Sequence, residues 1–223
     1  MTNHIAPLVQ ASTPSIIADK LRAAIGDGEL EPGTQLGEAE LARQLGVSRG
    51  PLREGMQRLT QEGLLVGIRN RGLFVIDMTP DDVRDMYLAR EAIERAAARA
   101  ILDGGGDHVA AGDALCDIVD QMGQAATPAE VSELDIAFHQ QLVELSGSPR
   151  LSRMHQTFIT ETRMCIHALD DSYAKSDFRE HEHRMLATAI RSGDRERTDE
   201  LLVAHMDEAL ARLIDTAQAD AAG

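Results

Sequence analysis

Tryptophan is absent from this 223-residue chain, and aromatic side chains of any kind are scarce, with four Phe and two Tyr. A platform that stacks the bases of single-stranded nucleic acid needs several such rings, so that class of partner is not expected. No apolar run approaches the ~20 residues of a membrane span. The opening "MTNHIAPLVQAS" lacks the basic stretch followed by an apolar one that marks a secretory signal. Neither membrane insertion nor export is expected. Only two cysteines occur, Cys116 and Cys165, far apart and outside any CxxC spacing. They read as buried free thiols in a reducing cytoplasm.

The chain is strongly acidic, with a formal net charge of −15, but the charge is unevenly spread. Residues 1–78 carry a net −1 and residues 79–223 a net −14. Within the first part, Arg43, Arg49, Arg53, Arg58, Arg69 and Arg71 face only Glu54 and Glu62 between positions 43 and 71. An acidic body with one small basic patch is the pattern to be explained; a solvated charged face is the alternative to a binding surface.

Local signals organise that patch. "STPSIIADKLRAAIGDG" offers Ser and Thr caps, then Ile16, Ile17, Leu21 and Ile25 at helical spacing, then a glycine stop. "EPGTQL" reads as a turn and "EAELARQLG" as a short helix ended by Gly46. Ser48 is placed to cap a third helix, with Pro51 in its first turn, where the missing N–H costs no intrahelical bond. Leu52, Met56 and Leu59 form its inner stripe; Arg49, Arg53 and Gln57, at i, i+4 and i+8, form a second stripe beside it. Gly63 stops the helix, and "LLVGI", "RNRG" and "LFVI" read as strand, turn, strand. Three helices and a hairpin in this order predict a winged helix-turn-helix. Such a unit sets its second motif helix in a major groove and reads bases from that helix's N-terminal end. Arg49 and Arg53 lie at that end, beside bare backbone N–H groups and a positive dipole end suited to phosphate. Arg69 and Arg71 on the hairpin tip are placed to reach backbone or minor groove. The expected partner is double-stranded DNA.

The stretch "GELEPGTQLGEAELARQLGVSRGPLREGMQRLTQEGLLVGIRNRGLFV" resembles the DNA-binding domain of the GntR family of bacterial transcription regulators. The resemblance implies that Arg49 and Arg53 contact an operator, that Ser48 and Gly50 flank that contact, and that Arg43, Arg69 and Arg71 support it. Ala39, between Glu38 and Glu40, stands where many members carry Arg.

From Thr79, a cap followed by Pro80 at the first helical position, the chain reads as all helical. Helices are expected near 80–102, 107–124, 128–146, 149–169, 177–192 and 195–219. They are separated by "DGGGD", "AATP", "SGSP", "DDSYAKS" and "SGD". Six helices with short loops predict a bundle over 79–223. The fold class is therefore mainly α, a winged helix-turn-helix over 1–78 followed by an all-α bundle.

A bundle keeps its chemistry in polar side chains on apolar faces. At 100° per residue, Asp135 and His139 lie together along the edge of the stripe Val131, Leu134, Phe138, Leu142 and Leu145. His183 shares a side with Leu186, Ala189 and Ile190 while His181 points away, and His205 lies within the stripe of Leu201, Leu202, Ala209 and Leu213. His155 is a reserve candidate near an inward face; His167 reads as outward, and His4 and His108 as near a terminus or loop. Each could be a core residue satisfied by a local hydrogen bond. As a set, three imidazoles and a carboxylate suit a divalent transition metal such as Zn²⁺, Ni²⁺ or Mn²⁺. "LDIAFHQQLVELSGSPRL", "EHRMLATAIRSGD" and "VAHM" resemble the FadR C-terminal domain, the effector-binding bundle of one GntR subfamily. That resemblance implies a metal on Asp135, His139, His183 and His205, and a homodimer. Ser148 replaces the Asn that usually follows Ser-Gly there.

Arg90 falls in the middle of the apolar stripe Val83, Met86, Ile93, Ala97 and Ile101, and a buried guanidinium must be paired. Its partner is either internal, Asp135 or Glu94, or the carboxylate of a small-molecule effector held bidentately. A divalent ion with three neutral imidazoles and one carboxylate keeps a charge near +1 and, beside Arg90, suits a small carboxylate. The reading is a cytoplasmic, homodimeric, ligand-responsive regulator of an operator and not an enzyme. The rivals are a metal-dependent hydrolase acting on a small carboxylate substrate and a regulator without metal. Against the hydrolase stand the absence of an inward Glu in a motif such as HExxH and the unexplained front domain. Arg49→Ala or Arg53→Ala is expected to weaken operator binding by ~1–3 kcal/mol each where the arginine reads a base. Titration at fixed salt measures this, and unchanged affinity in both removes the recognition-helix assignment.

Overall fold

In a computed structural model, which describes residues 12–104, 107–168 and 176–220, the contacts divide the chain between Asp77 and Met78 into two units. The first begins where Ser12, extended and followed closely by Pro14, starts α1 (Thr13–Gly26). Helix α2 (Glu38–Leu45) stops at Gly46, whose φ of 65° is left-handed and suits glycine. Helix α3 (Arg49–Gln61) begins directly after Ser48. Ser48 has the extended backbone of a cap, but its side chain makes no capping hydrogen bond, which corrects the expected role of its hydroxyl. Helices α1 and α3 touch at Gly55, where an added Cβ would lie 2.9 Å from Ile17 Cγ2 and 3.1 Å from the Pro14 carbonyl oxygen. Ile17, Leu21, Ile25, Leu52, Met56 and Leu59 form the core between them, leaving Arg49, Arg53 and Gln57 exposed.

Strands β1 (Leu65–Ile68) and β2 (Gly72–Val75) pair antiparallel, with Leu65 opposite Val75 and Ile68 opposite Gly72. The tip is Arg69–Asn70–Arg71, with Asn70 at φ 62°. The segment "EPGTQL" is more than a turn. Gln35 bridges Phe74, Leu36 N–H donates to the Leu73 carbonyl at 2.9 Å, and Val75 N–H donates to the Thr34 carbonyl at 2.9 Å. The hairpin therefore has a third extended edge, which closes one side of β2. The Pro-Gly turn masks it in the sequence because so short a pairing leaves no alternation to read.

The second unit contains α4 (Pro80–Asp103), α5 (His108–Met122), α6 (Pro128–Leu145), α7 (Pro149–Ala168), α8 (Ser176–Ser192) and α9 (Arg195–Asp220). Capping boxes start α4 (Thr79 with Asp82) and α6 (Thr127 with Glu130), each with proline at the first helical position. Ser148 Oγ accepts from Leu151 N–H at 3.4 Å at the start of α7, the kind of bond an Asn there would also supply. Of the loops, 105–106 and 169–175 lie outside the described residues, as do His4 and the side chain of His167. Cys116 and Cys165 are free but only partly buried, not fully as expected. Burial, reinforced by Glu161, still pushes the Cys165 thiol up to about 12.

Helix α6 is central: it packs against α4, α5, α7 and α8. Its buried residues are Val131, Asp135, Ile136, Phe138, His139, Leu142 and Val143, while Leu134 and Leu145 are only half-buried. The single stripe predicted for it is thus corrected. A helix enclosed on several sides buries more than one face, and Asp135 and His139 lie inside rather than at an edge. Leu115, Val119, Phe138, Leu142, Leu186, Ile190 and Leu202 make the main core. Helices α5 and α8 approach backbone to backbone at Gly112, where a Cβ would lie 2.3 Å from Arg191 Cβ and 2.5 Å from its Cα. Gly112→Ala therefore forces the two helices apart. It is expected to lower stability by about 1–3 kcal/mol, as overpacking does, read as a fall in Tm; an unchanged Tm would contradict the contact.

Candidate metal centre and nucleic-acid interface

Exposed arginines stand on α2, at the start of α3 and on the hairpin tip of the first unit. Arg49 and Gly50 are the first two residues of α3 and both are exposed; a Cβ at Gly50 would meet nothing within 4 Å. The backbone there is open to close approach by a ligand. Arg53, one turn on, donates through Nε to Glu38 Oε2 at 2.7 Å, and Arg43 pairs with Glu40 through Nε at 3.0 Å and through a second nitrogen. All four side chains are more than a third exposed. Exposed pairs of this kind are worth ~0–1 kcal/mol, so both guanidinium groups can exchange a carboxylate for a phosphate at small cost. On the hairpin tip Arg69 is exposed, and Arg71 lies over the Phe74 ring at 5.2 Å while its carbonyl accepts from Gln35.

In the second unit three buried imidazoles converge. One ring nitrogen from each of His139, His183 and His205 lies within 4.8 Å of the others. His139 Nε2 is 3.3 Å from His183 Nε2 and 3.0 Å from His205 Nε2. The opposite nitrogens decide which atoms carry protons. His139 Nδ1 lies 2.6 Å from Glu94 Oε2, and His183 Nδ1 lies 2.8 Å from the Arg179 carbonyl. Those oxygens can only accept once Glu94 is ionised, so both Nδ1 atoms donate and both Nε2 atoms present lone pairs. His205 Nδ1 lies 3.7 Å from the Glu182 carboxylate, beyond hydrogen-bond length. The bare nitrogens of His139 and His183 thus face each other, with His205 Nε2 3.0 Å from His139 Nε2.

That is an unfavourable arrangement without a cation and a suitable one with it. Two nitrogens bound at about 2.1 Å to one ion lie about 3.0 Å apart at right angles and about 3.4 Å apart in a tetrahedron, the range of the two distances from His139. Burial pushes the pKa of His183 and His205 down to about 3, with neighbouring imidazoles adding to it and Asp135 opposing, so the rings are neutral as metal ligands must be. Asp135 Oδ1 stands beside the group, 3.3 Å from His183 Nε2. Burial alone would raise its pKa, but the His183 and His139 imidazoles, and after them Arg179, outweigh this and hold the carboxyl ionised. The residues that fit a divalent ion are the three imidazoles, whose nitrogens lie within 4.8 Å of one another; Asp135 lies outside that cluster, 3.3 Å from one member, His183. His181 is exposed, on the far side of α8.

Glu94 is wholly buried and is the residue whose role the sequence did not disclose. Besides His139 it receives Arg90 Nε at 2.7 Å and His155 Nε2 at 3.0 Å, both on Oε1. Burial opposes its ionisation; the fields of His139 and Arg90 and the hydrogen bonds from His139 and His155 outweigh burial and hold its carboxyl well below the usual range. Of the two internal partners considered for Arg90, Glu94 makes the contact and Asp135 acts only through its field. Arg90 Nη1 also reaches Thr162 Oγ1 at 3.4 Å, and the guanidinium lies 5.5 Å from the Tyr87 ring centre. His155, the reserve ligand, belongs to this second layer and not to the triad. The case against a hydrolase rests on the lack of an inward Glu in a base-bearing motif; Glu94 is inward, but it binds the Nδ1 side of His139, away from the converging nitrogens. Its signal was its place one turn after Arg90, between Ile93 and Ala97 on the same buried face.

Comparison with known proteins bears on both units. Residues 15–75 match the profile of bacterial regulatory proteins of the gntR family, and residues 85–208 match the FCD domain. An uncharacterised HTH-type transcriptional regulator of Bacillus subtilis, YdhC, is 25% identical over 85% of this chain and 85% of its own. An Escherichia coli protein named as an L-lactate dehydrogenase operon regulatory protein is 29% identical over 85% of this chain and 82% of its own. Among solved structures, a GntR transcriptional regulator from Rhodococcus sp. RHA1 superposes with a TM-score of 0.77 at 27% identity, covering 92% of this chain and 99% of that one.

The crowded lone pairs make a direct prediction. Prolonged chelation is expected to lower the Tm of the full-length protein and added zinc to restore it. A ligand at a hundred times its Kd adds about 2.7 kcal/mol to the folded state. A Tm indifferent to both treatments would mean that no ion relieves the triad.

Proposed function

The chain belongs to the GntR family of bacterial regulatory proteins and carries an FCD domain, and from that premise we propose how its transcriptional regulation is controlled. The protein is a cytoplasmic homodimer that binds a two-fold operator through residues 1–78 and senses a small carboxylate through residues 79–223. The convergence of three buried imidazoles beside Asp135 carries the reading. Those four residues hold a divalent transition ion, Zn²⁺, Ni²⁺ or Mn²⁺. When bound, the ion supplies positive charge and open positions for water or a carboxylate. Arg90 is paired with Glu94, so the positive charge offered to the effector is the ion's, and Arg90 serves the framework of the site instead of the effector contact expected of it. The name of the E. coli relative supports a small hydroxy acid as the effector class.

On the DNA side, Arg49 and Arg53 enter the major groove from the start of α3, with Ser48 and Gly50 letting the backbone approach phosphate. Arg43, Arg69 and Arg71 contact backbone or minor groove. Two copies match two half-sites about one helical turn apart, which is the reason for a dimer. The effector acts by favouring one placement of the two wings over another, and a coupling of ~1–3 kcal/mol changes operator occupancy about 5–150-fold. No described helix is long and apolar enough to cross a membrane.

The test uses residues on one helix. His183→Ala and His205→Ala are expected to lose bound metal and to abolish effector-dependent release from operator DNA while the apo protein still binds DNA. His181→Ala, exposed on the opposite face of α8, should retain both. Metal analysis and DNA release assays on the three variants decide it. A response that survives in His183→Ala, or is lost in His181→Ala, sinks the site.

A further inference from the structure

Metal-binding histidines need one nitrogen bare, and neutral imidazole can place its proton on either. For His183 a backbone carbonyl makes the choice. For His139 the choice falls to a side chain, Glu94, whose Oε2 lies 2.6 Å from Nδ1 in a position with no exposure to water. An ionised carboxylate accepts and never donates. It therefore excludes the tautomer in which His139 carries its proton on Nε2, the nitrogen that faces His183 and His205. The other oxygen of the same carboxylate takes Arg90 Nε and His155 Nε2, so Glu94 cannot rotate away without leaving a buried guanidinium unpaired.

We infer that Glu94 is the positioning residue of the triad: it selects the tautomer of His139 that leaves Nε2 bare, and Arg90 and His155 lock it in that task. Glu94 touches no converging nitrogen itself; it acts through the ring of His139. The inference rests on the reading of His139 as a metal ligand. Second-layer partners of this kind alter metal affinity 10–100-fold when removed.

Two variants test it in the full-length chain. Glu94→Gln keeps the shape but offers an amide that can either accept from Nδ1 or donate to it, so both tautomers become available. Because Glu94→Gln also strands the Arg90 charge, the double variant Arg90→Leu with Glu94→Gln removes the pair together and leaves the charge of the cluster unchanged. Long-range ¹H–¹⁵N spectra of metal-stripped protein, assigned with His139→Ala, report the tautomer. Competition for Zn²⁺ against a chromophoric chelator reports affinity. In the wild-type protein His139 should be the Nδ1–H tautomer. In both variants the Nε2–H form should appear and zinc should bind 10–100-fold more weakly. A double variant that folds, keeps His139 in the Nδ1–H form and binds zinc as wild type overturns the role given to Glu94 alone. Wild-type protein that binds no zinc overturns the metal reading on which it rests.

Discussion

A buried imidazole has two nitrogens and, when neutral, one proton, and where that proton sits governs the second unit of this protein. Glu94 and the Arg179 carbonyl occupy the outer side of the His139 and His183 rings, so their inner nitrogens are left bare and face each other, with His205 beside them. Much of the bundle serves that geometry. Helix α6 contributes Asp135 and His139 from a position enclosed by α4, α5, α7 and α8, while α8 and α9 bring in His183 and His205. The capping boxes at Thr79 and Thr127 fix where α4 and α6 begin. A one-residue slip of either helix in its packing would turn these side chains by about 100° and separate them.

The two units use arginine in opposite ways. Arg43 and Arg53 form pairs at the surface, where water screens the attraction and the partner is easily exchanged. Arg90 is paired in a water-free interior, where removing its partner costs several kcal/mol, on the order of 3–5. The first arrangement suits a surface that must release its own carboxylates to meet phosphate. The second suits a framework that must hold still. The net charge follows the same division, since the acidic excess lies in the bundle and the DNA-facing unit is close to neutral with a basic patch.

What depended on local chemistry was legible in the sequence: the proline and threonine starts of α4 and α6, the glycine that ends α2, the exposed stripe of Arg49, Arg53 and Gln57, and the inward phase of His183 against His181. What depended on contacts between distant segments was not. The third edge of the wing needs Gln35 to meet Phe74, and nothing in "EPGTQL" announces that partner. A single apolar stripe describes a helix with one buried face, whereas α6 is packed on several sides. Glu94 was visible as a neighbour of Arg90, but its bond to His139 joins residues 45 positions apart, beyond any helical periodicity. Ser48 shows the converse limit: the residue type and backbone of a cap were right, yet the hydroxyl makes no cap bond.

Crowded lone pairs also have a consequence for how much of the protein a cell keeps. A folded chain is in equilibrium with locally opened forms, and proteases degrade what opens. If a cation joins these converging nitrogens, as proposed, the bundle spends less time open with the ion than without it. Metal supply would then set the lifetime of the regulator as well as its response. In metal-starved cells the operator would be vacated partly because fewer copies survive turnover.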